Sequence, residues 1–289
     1  MSNKPRKIIF AGLAQNCARF LPDVFRNIEN IAKHASEAAY IFIENDSTDS
    51  TKNDLIVWGQ NKVNFKFIDL DGLNQINIRT LRLEYARNIY LETIKADPYL
   101  RDFDVLVLID MDDVGAYPVN ISAIVDALNY LESADDIAGV FANQIGTYYD
   151  MWALRHPMLC PKDIWEEVFD YAFVHHCPDQ EAFDNTFAKR ILSIDKDQDY
   201  IEVDSGFGGL GFYKLKFVIN NPNPYLGSKI KVLQTHPEVI LRKWQVCEHV
   251  HFHQGIRNQG GRLVISPKLI NGANAGINFP ASCFITFLF

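Results

Sequence analysis

The feature that most constrains this chain is a regular alternation between short apolar segments and segments with helical periodicity. Four runs are rich in β-branched or aromatic residues and bounded by polar turns: 7–14, 39–43, 64–68 and 104–109. Three intervening segments carry apolar residues at helical spacing: 20–34, 50–60 and 79–96. This alternation predicts an α/β fold with a mostly parallel sheet flanked by helices on both faces.

The second half of the chain has a different rhythm. A helix is predicted from about 118 to 132, with a proline at its start, and a strand at 137–142. The segment 148–187 is rich in aromatic and acidic residues and predicts two helices, whereas 204–230 contains many Gly, Asn and Pro residues. Late in the chain, a helix starting near Glu248 and a strand at 262–265 are predicted.

No low-complexity linker or internal repeat divides the chain, so we expect a single domain over 1–289, built from two halves at about 1–142 and 143–289. The net charge of -8 argues against nucleic acid or an anionic membrane as the main partner, although it leaves room for a local basic region. Five scattered cysteines without a CxxC pair indicate neither a disulfide framework nor a zinc ribbon. A reducing, cytoplasmic location is the simplest expectation.

The two ends of the chain bear on membrane association. The apolar run at 8–14 reaches polar Gln15 at once, so it predicts a buried strand and not a signal segment. No segment approaches the ~18–20 apolar residues of a membrane span. The apolar end, 284–289, fits a last strand or packed tail, and the alternatives are an oligomer contact or a peripheral membrane contact.

Three carboxylates follow the fourth apolar run, where 110–113 reads Asp-Met-Asp-Asp. Ligands of open α/β sheets bind beyond the carboxyl ends of the strands, so the chemistry is expected after residues 14, 43, 68 and 109. Carboxylates crowded at such an edge favour Mg²⁺ or Mn²⁺, which prefer oxygen ligands and bridge to a diphosphate. Asp110 and Asp112 are therefore candidate metal ligands.

The same residues admit other interpretations. An acidic turn or helix cap is one of them. A strand followed by Asp-x-Asp also resembles the first motif of haloacid-dehalogenase-like phosphohydrolases, in which Asp110 would be the nucleophile. That family also requires a downstream lysine and a paired-aspartate motif, and no acidic pair at a later strand end is evident in this sequence.

Two earlier segments accompany these carboxylates. The segment 44–51 reads Glu-Asn-Asp-Ser-Thr-Asp-Ser-Thr after the second run, and 79–88 places three arginines and Ala-Arg-Asn on the helix before the fourth. Together they resemble glycosyltransferases of the GT-A fold. The resemblance implies that Glu44 or Asp46 contacts the nucleoside of a nucleotide-sugar donor, and Arg79 and Arg87 the diphosphate.

A finer resemblance is to the capsule-associated α-1,3-mannosyltransferases of fungi. It rests on the two segments above, on Tyr-Asp-Met-Trp-Ala-Leu-Arg at 149–155 and on Ser-Gly-Phe-Gly-Gly-Leu at 205–210. It implies GDP-mannose, a metal ion and retention of anomeric configuration. The usual Asn-Asp-Val after the fourth strand is here Asp-Met-Asp-Asp, which leaves the donor open between GDP- and UDP-sugars.

The resemblance extends to catalytic and acceptor-binding residues in the second half. Gly208 and Gly209 would let the backbone approach the donor sugar. The acid at the start of the late helix, Glu248, is the first candidate for a catalytic residue, with Asp150 and Asp204 behind it.

Two further groups of side chains in this half admit a functional and a structural interpretation. His249 would complete the metal shell, with core packing as the alternative. The aromatics at 148, 149 and 152 fit either sugar stacking or the core.

The sequence thus predicts a metal-dependent hexosyltransferase that moves a sugar, with mannose as one candidate, from a nucleotide-diphosphate sugar to a glycan hydroxyl. The first half would bind the donor, and the second half would bind the acceptor and carry catalysis. The alternatives are the phosphohydrolase and a non-catalytic glycan- or nucleotide-binding relative.

Overall fold

The computed structural model describes residues 6–234 and 236–274. The strands are β1 Lys7–Ala14, β2 Glu37–Glu44, β3 Phe65–Asp69, β4 Val105–Ile109, β5 Ile137–Gly146, β6 Ile201–Val203, β7 Leu210–Lys214, β8 Ser228–Gln234, β9 Ile240–Gln245 and β10 Arg262–Asn274. The helices are α1 Leu21–Ala32, α2 Thr51–Gly59, α3 Arg79–Ala96, α4 Asp113–Ala116, α5 Ile121–Ser133, α6 Ile164–His175, α7 Asp179–Asn185, α8 Phe187–Arg190, α9 Leu215–Ile219 and α10 Glu248–Asn258. The apolar end at 284–289 lies outside the described residues.

Eight strands form one mixed, mostly parallel sheet in the order β3-β2-β1-β4-β7-β5-β10-β6. β1 to β4 are mutually parallel, as the alternation predicts. β7 lies between β4 and β5 and is antiparallel to both. The Gly-rich segment before β7 therefore lies against the end of β4, a neighbourhood that sequence periodicity does not reveal.

Helices cover both faces of this sheet, which explains the continuous apolar runs. Along β1, Ile8 and Phe10 pack on the side of α1 and α5, whereas Ile9 and Ala11 pack on the side of α3. All five residues of β4 are buried. Packing on both faces fixes the position of each strand in the sheet, and therefore the position of the residues that follow it.

The predicted elements of the first half are confirmed with shifts of at most four residues at their ends. The predicted helix at 118–132 begins at Ile121, where the side chain of Asn120 caps it by accepting from the N–H of Ala123. β8 and β9 form a separate antiparallel hairpin that the sequence interpretation missed. Within the described part of the chain, no helix combines the length and apolarity needed to cross a membrane.

Candidate active site

A cleft of about 250 Å³ opens at the carboxyl ends of β1, β2 and β4. Its lining includes Gln15 after β1, Asn45 after β2, and Asp110 and Asp112 after β4. The start of α3 closes one side with its arginines. The chemistry therefore gathers after three of the four strand ends that the sequence identified.

Asp110 is the first residue after β4 and is held from several sides. Its backbone N–H donates to the carbonyl of Gly209 (2.9 Å), and its Oδ2 accepts from the hydroxyl of Tyr149 (3.2 Å). A quarter of its side chain remains accessible. Burial, together with the negative charge of Asp112, raises the pKa of Asp110 to about 7. The sequence left Tyr149 open between sugar stacking and core packing, and it did not indicate this bond to Asp110.

Asp112 stands two residues further on and is exposed to the cleft. Its Oδ1 accepts from the N–H of Val114 (3.1 Å) and caps the short α4. The helix-cap interpretation is thus correct for one oxygen, while the rest of the carboxylate faces the cleft. With Asp110 it forms an all-oxygen donor pair of the kind that Mg²⁺ and Mn²⁺ prefer.

Gly208 and Gly209 press the start of β7 against Asp110. Both have positive φ, +69° and +80°. A Cβ on Gly209 would lie 2.5 Å from Cγ1 of Val114 and 3.3 Å from Oδ2 of Asp110. A Cβ on Gly208 would lie 2.4 Å from the carbonyl of Ala142. The positive φ angles and the lack of room for a Cβ both require glycine at these two positions, which lets the backbone lie close to Asp110.

Arg87 and Glu248 form a buried ion pair beside Asp110. The Nε of Arg87 donates to Oε1 of Glu248 at 2.9 Å, with side chains only 9% and 6% exposed. A second guanidinium nitrogen lies 3.9 Å from Oδ1 of Asp110, and the rings of Phe207 and Tyr225 lie near the guanidinium. The structure thus joins α3, β4 and the first residue of α10 in one charge cluster.

Of the other two catalytic candidates, the structure brings Asp150 to this cluster and not Asp204. Oδ2 of Asp150 accepts from the N–H of Gly208 (3.0 Å), and burial raises its pKa. Asp204 instead forms an ion pair with Arg257 (2.8 Å). Arg257 is nine residues after Glu248 on α10, or roughly 13 Å along the helix axis. Asp204 therefore supports the far end of α10.

His249 points into the core behind Glu248. Its ring is 3% exposed and stacks on Phe207, with 4.3 Å between centroids. Burial and the nearby Arg87 lower its pKa well below the usual range. Among the described residues no three His, Cys, Asp or Glu side chains are grouped as a metal site. The structure therefore does not bring His249 to Asp110 and Asp112 as a third ligand.

The segment after β2 forms a tightly hydrogen-bonded loop. Glu44 is buried and its Oε1 accepts from the N–H of Ser47 (2.8 Å). The two oxygens of Asp46 accept from the N–H groups of Gly72 (2.6 Å) and Asn74 (2.8 Å), and these bonds lower its pKa. Both acids therefore brace the loop that presents Asn45 to the cleft.

Asn45 is a cleft residue that the sequence interpretation did not select. Its Nδ2 is buried and has no hydrogen-bond partner within the described part of the chain. Arg79 is exposed at the first turn of α3, and Arg82 donates to the carbonyl of Ile76 (2.6 Å). The cleft therefore holds an unpaired amide near one end and a guanidinium of Arg79 near the carboxylates.

Comparison with known proteins places the fold. No protein-family model and no curated protein matches the sequence. Among solved structures, the mannosyltransferase PcManGT from Pyrobaculum calidifontis, in complex with GDP-Man and Mn²⁺, superposes with a TM-score of 0.53 at 10% identity; the match covers 97% of this chain and 60% of that one. S. aureus TarS superposes with a TM-score of 0.50 at 12% identity, covering 93% of this chain and 37% of that one.

This chain thus spans less than two thirds of either structure that it resembles. At such low identity the similarity defines the architecture and leaves the chemistry to the residues of the cleft. The β1–β4 order, the antiparallel β7 beside β4 and the superpositions agree. The chain has an α/β fold of the GT-A type, a mostly parallel sheet flanked by helices.

Proposed function

We propose that this protein is a metal-dependent glycosyltransferase that moves a hexose from a nucleotide-diphosphate sugar to a hydroxyl of a glycan acceptor. The observation that carries the proposal is the convergence of two carboxylates, at Asp110 and Asp112, with Arg79 and Arg87 in one cleft at the carboxyl edge of a GT-A-type sheet. This combination suits a metal-bound diphosphate.

We assign the donor side of the site to the first half of the chain, because the described residues that line the cleft fall between Leu13 and Asp112. Asn45, which lines the cleft after β2, is the candidate for the nucleoside, with Glu44 and Asp46 holding its loop in place. Arg79 is the exposed cation for the diphosphate.

Asp110 and Asp112 fit a hard divalent cation, because both offer carboxylate oxygens. Mg²⁺ is commonly held through one or two carboxylates plus substrate phosphates and water. A metal in this place would neutralise the departing diphosphate. PcManGT, the similar structure that contains GDP-Man and Mn²⁺, supports mannose and manganese as first choices.

The second half supplies the acceptor side. Glu248 is our candidate for the group that orients or deprotonates the acceptor hydroxyl. Its carboxylate is bonded to Arg87, whose guanidinium also lies near Asp110, one of the two candidate metal ligands. Asp150, tied to the N–H of Gly208, stands next in order. Tyr149 positions Asp110 through its hydroxyl.

The phosphohydrolase is less well supported. Oδ2 of Asp110 accepts a hydrogen bond from the hydroxyl of Tyr149, which hinders this oxygen as a nucleophile. Among the described residues, the cleft beside Asp110 is lined by arginines and by no lysine. A binding protein without turnover remains the alternative that experiment has to separate. A cytoplasmic location stays our expectation, with the C-terminal tail at 284–289 as a candidate for peripheral membrane contact.

The decisive experiment is a thermal-shift panel of GDP- and UDP-sugars with and without Mn²⁺, followed by a transfer assay. A donor that binds only the folded state raises the melting temperature, by an amount that grows with its concentration relative to Kd. We expect a shift that requires Mn²⁺ and is removed by EDTA. The double variant Asp110→Asn, Asp112→Asn should lose both shift and turnover.

The matched control is Asp113→Asn, which removes an equal charge from the exposed residue that follows Asp112. It should keep both shift and turnover. Unchanged donor binding in the double variant, or no shift with any nucleotide-sugar, would contradict the proposal. Metal-dependent donor binding without transfer to any glycan would favour the binding protein, and a phospho-aspartate trapped at Asp110 would favour the phosphohydrolase.

A further inference from the structure

The β8–β9 hairpin stands apart from the sheet and rises beside the candidate active site. Its strands pair only with each other among the described residues, and the seven residues of β8 span about 23 Å. At its base, the hydroxyl of Thr80 donates to Oε1 of Gln245 (3.3 Å). Three residues after Gln245 comes Glu248. The hairpin therefore emerges between the first turn of α3 and the start of α10.

One face of the hairpin packs on α6. Residues directly opposite in an antiparallel pair share a face, and Lys229 is opposite Trp244. Trp244 is buried against Phe169 of α6, with 4.8 Å between ring centroids. On the same face, Lys231 contacts Glu166 and Asp170 of α6 at 2.7 Å each. Trp244 and Lys231 thus anchor this inner face to α6.

The outer face is apolar and exposed. Ile230 lies opposite Lys243, and Val232 lies opposite Leu241. The exposed apolar side chains of the hairpin, between 41% and 65% accessible, are Ile230, Val232, Val239, Ile240 and Leu241. Val239, Ile240 and Leu241 are consecutive, and the last two are the first residues of β9, so the distal end of the hairpin is the most apolar part.

α6 lies on the inner face and not on this outer one. Contacts from Lys229 to Glu166 and from Lys231 to Asp170 show that α6 runs along the hairpin towards its distal end. We call the five exposed apolar residues of the hairpin the distal patch. Exposed apolar surface of this kind often marks an interaction site.

The charge of the hairpin indicates what the distal patch meets. Residues 228–245 hold four Lys or Arg and one Glu, in a chain of net charge -8. Lys229 and Lys231 are neutralised by α6, whereas Lys243 is exposed on the outer face itself. Aliphatic side chains at a tip with a cation behind them match a lipid–water interface, where the apolar groups enter the acyl boundary and the cation stays with anionic headgroups.

We propose that the distal patch docks this protein on an anionic lipid surface, with the active-site cleft held beside that surface. Because the hairpin base adjoins Thr80 and Glu248, docking would present the cleft to acceptors carried by the membrane. This second consequence rests on the proposed function, whereas the lipid binding itself does not.

Co-sedimentation with vesicles tests the proposal. Wild-type protein is mixed with vesicles of phosphatidylcholine alone or with phosphatidylglycerol added. The test variant is Ile230→Thr, Val232→Thr, Leu241→Thr, which keeps the β-propensity of exposed positions. It should lower the vesicle partition coefficient by roughly tenfold or more, since each buried methylene contributes ~0.8 kcal/mol. The control replaces exposed apolar residues elsewhere, Val57→Thr, Val63→Thr and Met158→Gln, and should bind as wild type does.

Lys243→Glu tests the electrostatic part, and should reduce binding to the vesicles that contain phosphatidylglycerol. All variants are first compared by melting temperature and by the donor-induced thermal shift, which should be unchanged. The proposal is overturned if the wild type does not sediment with either vesicle, or if the triple variant binds as well as the wild type. It is also overturned if sedimentation velocity shows a dimer that the triple variant abolishes, without vesicle binding. Failure of the proposed function would appear instead as a missing donor shift.

Discussion

The ion pair between Arg87 and Glu248 gives the sharpest test of how this site is built. It is nearly inaccessible to solvent and joins α3 to the start of α10. Replacing Arg87 by Met keeps an apolar stem between Phe207 and Tyr225 but leaves the carboxylate of Glu248 buried without its cation. An orphaned buried charge costs about 3–5 kcal/mol. We therefore expect Arg87→Met to lower the free energy of unfolding by that amount at pH 7.

Replacing the other partner of the ion pair is predicted to cost less free energy of unfolding. Glu248→Gln retains an oxygen that accepts from Nε of Arg87, so a charge-assisted bond becomes a neutral one, and the cost is about 1–2 kcal/mol. Arg87 also keeps Asp110, 3.9 Å away, as a second anion. In the double variant the buried carboxylate is gone, so the combined loss should fall short of the sum by roughly 1–3 kcal/mol.

Urea unfolding followed by circular dichroism measures these free energies by linear extrapolation. Arg82→Met is the matched control: it removes a guanidinium five residues earlier on the same helix, one that is only partly buried and donates to the carbonyl of Ile76. Its cost should be about 1 kcal/mol. A loss below ~1 kcal/mol for Arg87→Met, or strict additivity in the double variant, would refute a coupled buried pair.

Two further predictions concern the backbone and the core. Gly260→Ala meets nothing within 4 Å at φ +81° and should cost about 1–2 kcal/mol of unfolding free energy, whereas Gly209→Ala also strikes Val114 and should cost about 2–5 kcal/mol. Burial lowers the pKa of His253 to about 3. Between this value and the usual pKa near 6.5, the imidazole binds a proton in the unfolded chain and not in the folded one. Stability that is present above about pH 6.5 is then lost as the pH falls towards 3, and a fall from pH 7 to pH 5 costs about 2 kcal/mol. His253→Gln should remove that part of the acid sensitivity, and exposed His175→Gln should not.

Both predictions are read from urea unfolding. Equal costs for the two glycine substitutions would mean that the neighbours of Gly209 give way easily, so that φ alone sets the cost. An acid sensitivity that is the same in His253→Gln and in the wild type would contradict a neutral imidazole. The structure explains why it stays neutral: its ring lies between the hydroxyls of Ser205 (2.8 Å) and Tyr213 (2.9 Å), with no carboxylate among its hydrogen-bond partners.

Local patterns predicted the first half of the fold well because its strands are buried on both faces. β4 is the clearest case, with five apolar residues that are all inaccessible. Among the helices between the strands, α1 shows a clear apolar stripe, in which Leu21, Val24 and Ile28 are buried. The buried side of α3 also includes the polar residues Thr80 and Arg87. Such periodicities are short-range, and they survive in the sequence whatever the strands pair with.

In the second half of the chain, the sequence interpretation failed where strands pair with distant parts of the sequence. β7 begins directly after Gly208 and Gly209, so its five residues were interpreted as part of a turn-rich segment. Their partners are residues 105–109 of β4, about a hundred positions earlier. The β8–β9 hairpin was missed although residues 229–232 alternate between lysine and aliphatic side chains. β8 begins inside the segment 204–230 that is rich in Gly, Asn and Pro, and its aliphatic side chains face outward whereas its lysines face α6.

The site shows the same division between local and distant information. The place of the carboxylates directly after β4 can be read from neighbouring residues in the sequence, and Asp110 and Asp112 do line the cleft. The partner of Glu248 is 161 residues away in sequence, and the resemblance that named Arg87 did not link the two. Asp204 was selected for its neighbouring glycines, but its carboxylate turns to Arg257.

The charges of the assembled cluster bear on the order of binding. Four carboxylates stand near one another, from Asp110, Asp112, Asp150 and Glu248, and they outnumber the three guanidinium groups that line the cleft, from Arg79, Arg82 and Arg87. Burial raises the pKa of Asp110 and of Asp150, so a divalent cation would favour the ionised forms of these acids and offset the surplus of negative charge. A nucleotide diphosphate alone would add like charge to this surplus, at a cost that rises in a partly buried site. The donor should therefore bind together with its metal or after it, so a nucleotide-sugar that bound tightly in EDTA would count against the whole electrostatic argument.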